Sequence, residues 1–328
     1  METVAISSLR QLRSYKVDDK QYSKGQLAVK RAYSSRDIGI LVATFIAFFF
    51  ITSAYFLISY IVESASEPEM SAMDWFVGLL ATGFGSLLLF VAILLFGMFM
   101  VRMQRQMMLG NSLQVEYSDY AWLRDWANQV SADLQMPRVE VFITQDPVIN
   151  AYAFGFARPY TIVLQSGSIR YLTRDELKAI VVHEMGHIKY GHTAAAVYLM
   201  PFLTLPIVNV VGTWIAGFWQ RRTELTCDRL ALMYLGDSEL VKAALIKVHV
   251  GPDVATSMNE VARQWLQYNA ERPMNRLAQT LSSHPFLVRR LSHIDRWKSV
   301  VERPNSVGAA LGGQSPHLAP KPSHHQAK

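Results

Sequence analysis

The sequence predicts a mostly α-helical fold with a small β-sheet and two N-terminal transmembrane helices. Two long stretches near the N-terminus, residues 38–62 and 75–101, contain no charged residue. Further along the chain, apolar residues recur mainly at the helical spacings of three and four. Only residues 138–144 and 161–164 show the alternation or the β-branched composition that is typical of strands. These patterns indicate a helical domain with few strands that follows a membrane anchor.

The two uncharged stretches are each long enough to cross a bilayer, which takes about 20 apolar residues. A cleaved signal peptide explains them poorly, because the first begins near residue 38 and the second soon follows it. The whole chain is 51% hydrophobic and only 18% charged, a balance that a single soluble domain also explains poorly. We therefore expect residues 37–101 to form two transmembrane helices joined by a short acidic outer loop.

The distribution of charge predicts how these helices are oriented. Lysine and arginine are concentrated in residues 1–36, and Arg102 and Arg105 follow the second stretch directly. The loop between the stretches has no lysine or arginine but carries acidic residues at Glu63, Glu67, Glu69 and Asp74. Because basic residues favour the cytoplasmic side, we expect the N-terminus and everything after residue 101 to be cytoplasmic. The basic residues on the cytoplasmic side of the two helices then explain the net charge of +6, and no nucleic-acid partner is expected.

The rest of the chain divides into an arm, a domain and a tail. Residues 1–36 are polar and basic, and we expect a partly ordered cytoplasmic arm that serves mainly as a topological anchor. Residues 102–302 form the folded domain, which opens with an amphipathic helix over residues 117–134 and continues with the two strand-like runs. Residues 303–328 are rich in Pro, Gly, Ser and His without apolar periodicity, which predicts a disordered tail.

A short motif, His-Glu-Met-Gly-His at residues 183–187, carries the first candidate functional residues. Thr173 is a suitable N-cap for the apolar helical run before it, so the motif should lie inside a helix. His183 and His187 are four residues apart, so they project from one face and can bind one tetrahedral metal ion. Glu184 lies beside them and suits a carboxylate that takes a proton from water as the water attacks a peptide carbonyl.

The segment 221–228 offers the third ligand that such a site requires. Glu224 and Asp228 are one helical turn apart and share a face. Glu224 can complete a site of two histidines and one glutamate, while Asp228 can hydrogen-bond a histidine ring and fix its tautomer. The alternative is an ordinary surface helix with Arg–Glu pairs, which leaves the preceding motif unexplained. We expect one zinc ion per chain, bound by His183, His187 and Glu224.

Two nearby residues are not expected to bind the metal. His192 follows His187 by five residues, and on a continuous helix its side chain points roughly 140° away. Cys227 is the only cysteine and lies close to Glu224, so a thiolate ligand is conceivable. Two histidines and one glutamate already leave the open position that catalysis needs. We therefore expect Cys227 to be a packing residue.

Residues 193–219 form a third uncharged run. His187 precedes it and Glu224 follows it, yet both must lie about 2 Å from one zinc ion. A full crossing would separate them by about 30 Å of hydrocarbon, and two crossings would need about 40 residues. The run must therefore turn back, and Pro201 and Pro206 lie where helical hydrogen bonds would be lost. We expect a re-entrant or interfacial hairpin beside the site.

Several ordered motifs resemble those of the integral-membrane gluzincin peptidases, which include the heat-shock protease HtpX and the CAAX prenyl proteases. The resemblance covers roughly residues 115–295, together with the paired N-terminal stretches. Its marks are Asn150-Ala151-Tyr152-Ala153-Phe154-Gly155, Asp175-Glu176-Leu177 before the His-Glu-Met-Gly-His motif, the Glu224 to Asp228 segment, and Ser283-His284-Pro285 followed by Arg289 and Arg290. Several motifs in a fixed order are more specific than any one of them.

The resemblance implies a membrane-anchored, zincin-like metallopeptidase domain that cleaves internal peptide bonds with zinc. It implies a substrate-binding edge at Asn150, Ala151, Tyr152 and Ala153. It also suggests that His284 donates a hydrogen bond to the developing oxyanion, although packing at a helix start explains His284 equally well. By analogy, the substrates are membrane or membrane-proximal polypeptides in protein quality control, and the protein lies in a bacterial inner membrane.

Two other functions stay open at this point. A prenyl-protein (CAAX) processing peptidase would depend on a lipidated C-terminal cysteine in its substrate. A non-enzymatic membrane scaffold with a zincin fold would lack a catalytic residue, and none is missing here.

The sequence departs from the resembled family at Cys227, where alanine is usual, and in the shortness of residues 193–219, which in HtpX resemble two spans. Arg289 and Arg290 could orient a carboxylate of the metal helix or bind anionic lipid. The oligomeric state and natural substrate are not predicted.

Overall fold

The structure, a computed structural model, describes residues 22–65, 71–204 and 206–301. Much of the basic arm, part of the acidic outer loop and the tail that was expected to be disordered lie outside the described residues. The helices are α1 (Lys24–Ala32), α2 (Ser35–Ser64), α3 (Ala72–Leu109), α4 (Ala121–Asp133), α5 (Ser166–Tyr171), α6 (Arg174–Lys189), α7 (His192–Thr204), α8 (Pro206–Leu235), α9 (Ser238–Val250), α10 (Pro252–Thr256), α11 (Glu260–Glu271), α12 (Pro273–Thr280) and α13 (Leu287–Val301). The strands are β1 (Leu113–Gln114), β2 (Val139–Thr144), β3 (Ala151–Phe154) and β4 (Tyr160–Gln165). This mainly helical architecture with a small sheet confirms the predicted fold class.

The helices α2 and α3 correspond to the two uncharged stretches. They contain 30 and 38 residues and reach mean hydropathies of 2.3 and 2.6, so both are long and apolar enough to cross a membrane. Only 11% and 6% of their most apolar windows are buried, whereas the core helix of a soluble protein is mostly buried. The Tyr60 hydroxyl donates a hydrogen bond to the carbonyl oxygen of Trp75 at 2.8 Å. This contact ties the two helices together near the outer loop.

The four strands form one mixed sheet in the order β1-β2-β4-β3. The pair β2 and β4 is parallel, with Val139 opposite Tyr160, and these are the two strands that the sequence patterns predicted. The strand β3 pairs antiparallel with β4, with Ala151 opposite Leu164. Within the described residues, β3 therefore lies at the edge of the sheet with its other side free of strand pairing. An edge strand of this kind can accept a further extended segment.

The helices α6 and α8 pack together in the centre of the main core. On α6, Val181, Val182 and Met185 are fully buried, and Leu230 of α8 lies in the same cluster. A Cβ atom added to Gly186 would lie 3.0 Å from the Cys227 Sγ atom. Since that distance is tighter than ordinary packing, glycine on α6 allows α8 to come close. The two segments that carry the candidate ligands are thus adjacent helices.

The second half of the basic arm belongs to the folded domain. Ala28 and Ala32 of α1 are buried in the main core. A Cβ atom added to Gly25 would lie 2.2 Å from the Asp133 carbonyl oxygen, so only glycine permits this approach to the end of α4. The expectation that the arm mainly anchors the chain is therefore incomplete for residues 24–32, where small residues on one face let the helix pack.

The apolar residues 193–219 are divided between α7 and the first half of α8. Ala195 of α7 and Ala216 of α8 are buried in one cluster with Phe48 of α2, so the two helices fold back on each other. The helix α7 also packs against α3, and α8 packs against α2. A hairpin beside the long helices agrees with a run that turns back. Its re-entrant or interfacial position in a bilayer stays a prediction.

A second face of α8 forms hydrogen bonds to the junction between α1 and α2. The Arg222 Nε atom donates to Asp37 at 2.8 Å, and the Thr226 hydroxyl donates to the other oxygen of the same carboxylate. The Arg229 Nε atom donates to the carbonyl oxygen of Ala32 at 2.8 Å. Asp37 lies in the first turn of α2, where the uncharged stretch begins. These contacts fix α8 at the level where the chain would enter the membrane.

Candidate metal centre

The helix α6 brings the two motif histidines together. Thr173 is its N-cap and forms a capping box with Glu176, which satisfies the free N–H groups of the first turn. His183 and His187 project from one face, and their Nε2 atoms lie 3.3 Å apart. The predicted N-cap and the placement of the motif in a helix interior are both confirmed.

The helix α8 adds Glu224 to this pair. One oxygen of its carboxylate lies 3.4 Å from the His183 Nε2 atom and the other lies 3.4 Å from the His187 Nε2 atom. A tetrahedral zinc ion with bonds of about 2.0–2.1 Å separates its ligand atoms by roughly 3.4 Å. The three side chains form a group whose donor atoms all lie within 4.8 Å of one another. The donor chemistry and the spacing therefore fit a zinc ion.

Asp228 and Arg290 support this group from behind. The His183 Nδ1 atom lies 3.0 Å from Asp228, while Arg290 donates to both oxygens of Asp228 at 2.7 and 2.5 Å. Another guanidinium nitrogen of Arg290 lies 3.2 Å from Glu224. Burial alone would raise the pKa of Asp228, but Arg290 holds that pKa below its ordinary value. Both carboxylates therefore stay ionised inside the protein, which a buried charge does only with a close partner.

The carboxylates also act on the histidine. Burial lowers the pKa of His183, but the neighbouring Asp228 and Glu224 outweigh it and raise the pKa to about 10. An imidazole must be neutral to bind a metal ion, so metal binding at this site releases a proton.

Glu184 and the edge strand line a common cleft. The cleft has a volume of about 590 Å³ and contains the three donor residues, Glu184, His284 and the segment Asn150, Ala151, Tyr152 and Ala153. Burial raises the pKa of Glu184. The structure thus brings every candidate site residue from the sequence to this cleft or, for Asp228, directly behind it.

His284 stands at the rim of the cleft. Its Nδ1 atom lies 3.4 Å from a Glu224 oxygen, and its side chain is 65% exposed. The hydrogen bond to Glu224 raises the pKa of His284. The loop after α12 therefore places a hydrogen-bond donor, His284, on the solvent side of the three candidate metal ligands.

The position of His192 differs from the one that the helical angle predicted. The helix α6 ends at Lys189, and Gly191 has a φ of 72°, which turns the chain. His192 then lies beside His187, with ring centroids 5.3 Å apart, and its Nδ1 atom lies 3.6 Å from the Cys227 Sγ atom. The assumption of a continuous helix is wrong because glycine at residue 191 breaks it. His187, His192 and Cys227 form a second group of possible donors that shares His187 with the first.

His249 also lines the cleft, although no sequence pattern predicted it. Its Nδ1 atom lies 2.8 Å from the Leu245 carbonyl oxygen and so donates to it. Burial lowers the pKa of His249. This histidine belongs to no motif, and only the packing of α9 against α6 brings it to the site.

A mainly helical fold, with a two-histidine, one-glutamate donor group and a free carboxyl group in one cleft, defines the class of metal-dependent hydrolases with a His-Glu-x-x-His helix. Within this class, the chain belongs to Peptidase family M48, which matches residues 118–218 and 202–298. These segments together extend over more than half of the chain.

Similar proteins carry peptidase names. The chain is 32% identical over 226 residues to the plastoglobule-localized metallopeptidase 48 of Arabidopsis thaliana, covering 60% of this chain and 64% of that protein. It is 31% identical over 110 residues to the protease HtpX homolog 1 of Sulfurisphaera tokodaii, covering 31% of this chain and 35% of that protein. The chain thus spans less than two thirds of these relatives. Among solved structures, the crystal structure of S. mikatae Ste24p has a TM-score of 0.43 at 16% identity, covering 79% of this chain and 67% of that chain. That likeness is too distant to add detail about the site.

Proposed function

We propose that this protein is a membrane-bound, zinc-dependent endopeptidase that hydrolyses peptide bonds of membrane or membrane-proximal proteins. The observation that carries the proposal is one cleft that contains the donor group of His183, His187 and Glu224, the carboxyl group of Glu184, and an edge strand. Membership of Peptidase family M48 supports a proteolytic reaction.

The donor group would bind one zinc ion through the two Nε2 atoms and the Glu224 carboxylate. When bound, zinc supplies a Lewis acid that polarises the peptide carbonyl and lowers the pKa of water. Asp228 keeps the His183 ring in place from its Nδ1 side, and Arg290 holds both carboxylates in position. Such supporting contacts commonly change metal affinity by about 10- to 100-fold.

Glu184 is the proton carrier of the proposed reaction. Its carboxylate takes a proton from the attacking water and later gives it to the leaving amine, so that the peptide C–N bond breaks. The raised pKa of Glu184 suits both steps. His284, with a raised pKa at the rim, would donate a hydrogen bond to the oxyanion that develops on the substrate.

The edge strand β3 would hold the substrate in an extended form. A peptide that pairs with the free side of a strand lies about 4.8 Å from it and uses main-chain hydrogen bonds. Such binding depends little on the side chains of the substrate. Thr193, at the start of the apolar hairpin, also lines the cleft, so the cleft borders the hairpin that we expect beside the bilayer.

We place the catalytic domain in the cytoplasm, at a bacterial inner membrane, and the role in protein quality control. The basic arm and the pair Arg102 and Arg105 on one side, with the acidic loop on the other, support this orientation. Substrates in quality control are unfolded or membrane-released segments, which are extended and can pair with β3.

The proposal is tested with Glu184→Gln. This change keeps the shape of the side chain but removes the proton acceptor, so zinc should be retained while casein cleavage is lost. The matched control is Asp175→Asn, an acid-to-amide change on the same helix at a side chain that is 66% exposed, and it should keep full activity. Substantial hydrolysis by pure Glu184→Gln protein would contradict the proposed role.

A further inference from the structure

An exposed apolar stripe runs along α11 and α12. It consists of large side chains that are each at least 58% exposed, namely Val261, Trp265, Tyr268, Met274, Leu277 and Leu281. On each helix the spacings are three and four residues, so the side chains lie on one face. Folded proteins rarely expose so many large apolar side chains together unless another surface covers them.

The contacts of α8 fix the level of this stripe relative to the long helices. Arg222 binds Asp37 in the first turn of α2. The neighbouring Arg221 donates to the carbonyl oxygens of Thr280, at 3.0 Å, and Ser282. The C-terminal end of α12 therefore lies at the level where α2 begins, which is the expected membrane surface.

The stripe is continuous with the exposed side of the hairpin. A Cβ atom added to Gly217 would lie 3.2 Å from the Ser282 carbonyl oxygen, so the end of α12 rests directly on α8. Trp214 and Phe218, on the same turns of α8, are about half exposed. The apolar surface thus extends from the hairpin, past Ser282, to Leu281 and α12.

Basic side chains accompany the stripe. Arg272 between α11 and α12, Arg276 on α12 and Arg289 on α13 are exposed. Burial and the positive charge of Arg276 lower the pKa of Arg289. Glu260 and Glu271 are the acidic residues of α11, and the three arginines outnumber them. Exposed basic side chains next to an apolar helix face are typical of helices that lie on anionic membranes.

We propose that α11 and α12 lie on the bilayer surface, with the apolar stripe in the interface and the three arginines on anionic lipid headgroups. Helices of this type bury their apolar face about 5–10 Å into the headgroup region. This contact extends the apolar surface of the hairpin onto α11 and α12, and it does not rest on the proposed function. It directly precedes the loop of His284, so the membrane surface would hold one end of that loop.

The experiment uses the full chain with Leu277→Cys, labelled with a fluorophore and reconstituted in vesicles of phosphatidylcholine and phosphatidylglycerol. The native Cys227 is fully buried and should not react. Quenching by doxyl groups on lipid chains is compared with quenching by iodide in water. The matched control is Asp175→Cys. Asp175 lies at the N-terminal end of α6, roughly 20 Å along the helix from the end that leads into the hairpin.

The proposal predicts that lipid-borne doxyl groups quench the label at Leu277 several-fold more strongly than the label at Asp175. It also predicts that Arg272→Gln, Arg276→Gln and Arg289→Gln together, or vesicles without phosphatidylglycerol, reduce this difference. Lipid quenching that does not depend on the charge of the lipid would overturn the role of the arginines. Equal iodide quenching at both positions would overturn the proposal.

Protection of Leu277 from both quenchers would also overturn the proposal, because it would mean that protein covers the stripe. A second copy of the chain or the residues after 301 would then be the occupant, and dilution would distinguish them. If Leu277→Cys fails to fold, Met274→Cys on the same stripe gives the same readout. Since quenching does not depend on hydrolysis, failure here leaves the proposed function untouched.

Discussion

Asp228 connects the proposed ligand His183 to Arg290 in the surrounding protein. It lies 3.0 Å from the His183 ring and receives two hydrogen bonds from Arg290. We expect Asp228→Asn to weaken zinc binding by about 10- to 100-fold, because the amide no longer stabilises the ring as a carboxylate does. Chelator competition on the folded protein measures this change. Asp253→Asn, at an exposed acid on α10, is the control, and equal affinities for the two variants would exclude the role.

Cys227 is expected to be a packing residue despite its position. Its side chain is fully buried between Gly186 and His192, and burial raises the pKa of its thiol well above the ordinary value. A thiol that keeps its proton is a poor metal ligand. We therefore expect Cys227→Ala to retain zinc and peptidase activity, with a small loss of stability from the cavity. A collapse of zinc content in this variant would show that the sulfur is a ligand.

At the residue scale, the sequence predicted the donors but not all of their partners. His183 and His187 follow from helical spacing, Glu184 follows from its place beside them in the motif, and Glu224 follows from the need for a third ligand. Arg290 could not be assigned, because its two possible roles depend on whether α13 packs against α8. The structure shows that it does, and the guanidinium group binds Asp228 and Glu224.

At the scale of elements, the hairpin of α7 and α8 makes a topological prediction. Single cysteines at Asp175 and Glu239, whose side chains are 66% and 63% exposed, lie before and after the hairpin. We expect a membrane-impermeant thiol reagent to reach both from the same side of oriented vesicles, because their helices meet at one site. A cysteine at Glu67 in the outer loop is the control for the opposite side. Labelling of Asp175 and Glu239 from opposite sides would refute the hairpin and, with it, Glu224 as a ligand.

The elements that the sequence missed share a physical reason. The strand β3 has only four residues and no alternation that separates it from a loop. The helix α1 looked like a polar arm, because its packing depends on the small residues Gly25, Ala28 and Ala32 rather than on large apolar ones. The break at Gly191 was missed because glycine inside a helical pattern does not by itself mark an end.

At the scale of the whole molecule, α8 joins the membrane anchor to the site. One face carries Glu224 and Asp228, and another carries Arg222 and Thr226, which bind Asp37 in the first turn of α2. The distance from the bilayer to the cleft is therefore set by a single helix. This arrangement would hold the proposed peptidase site at a constant height over the membrane.

The central claim, that one zinc ion in this cleft supports peptide hydrolysis, is tested most directly by removing and restoring the metal. Purified full-length protein is treated with a chelator, its zinc content is measured, and casein cleavage is followed while zinc is added back. The account predicts that cleavage disappears with the zinc and returns when about one ion per chain has been bound. Cleavage that continues at full rate in protein free of metal would contradict it.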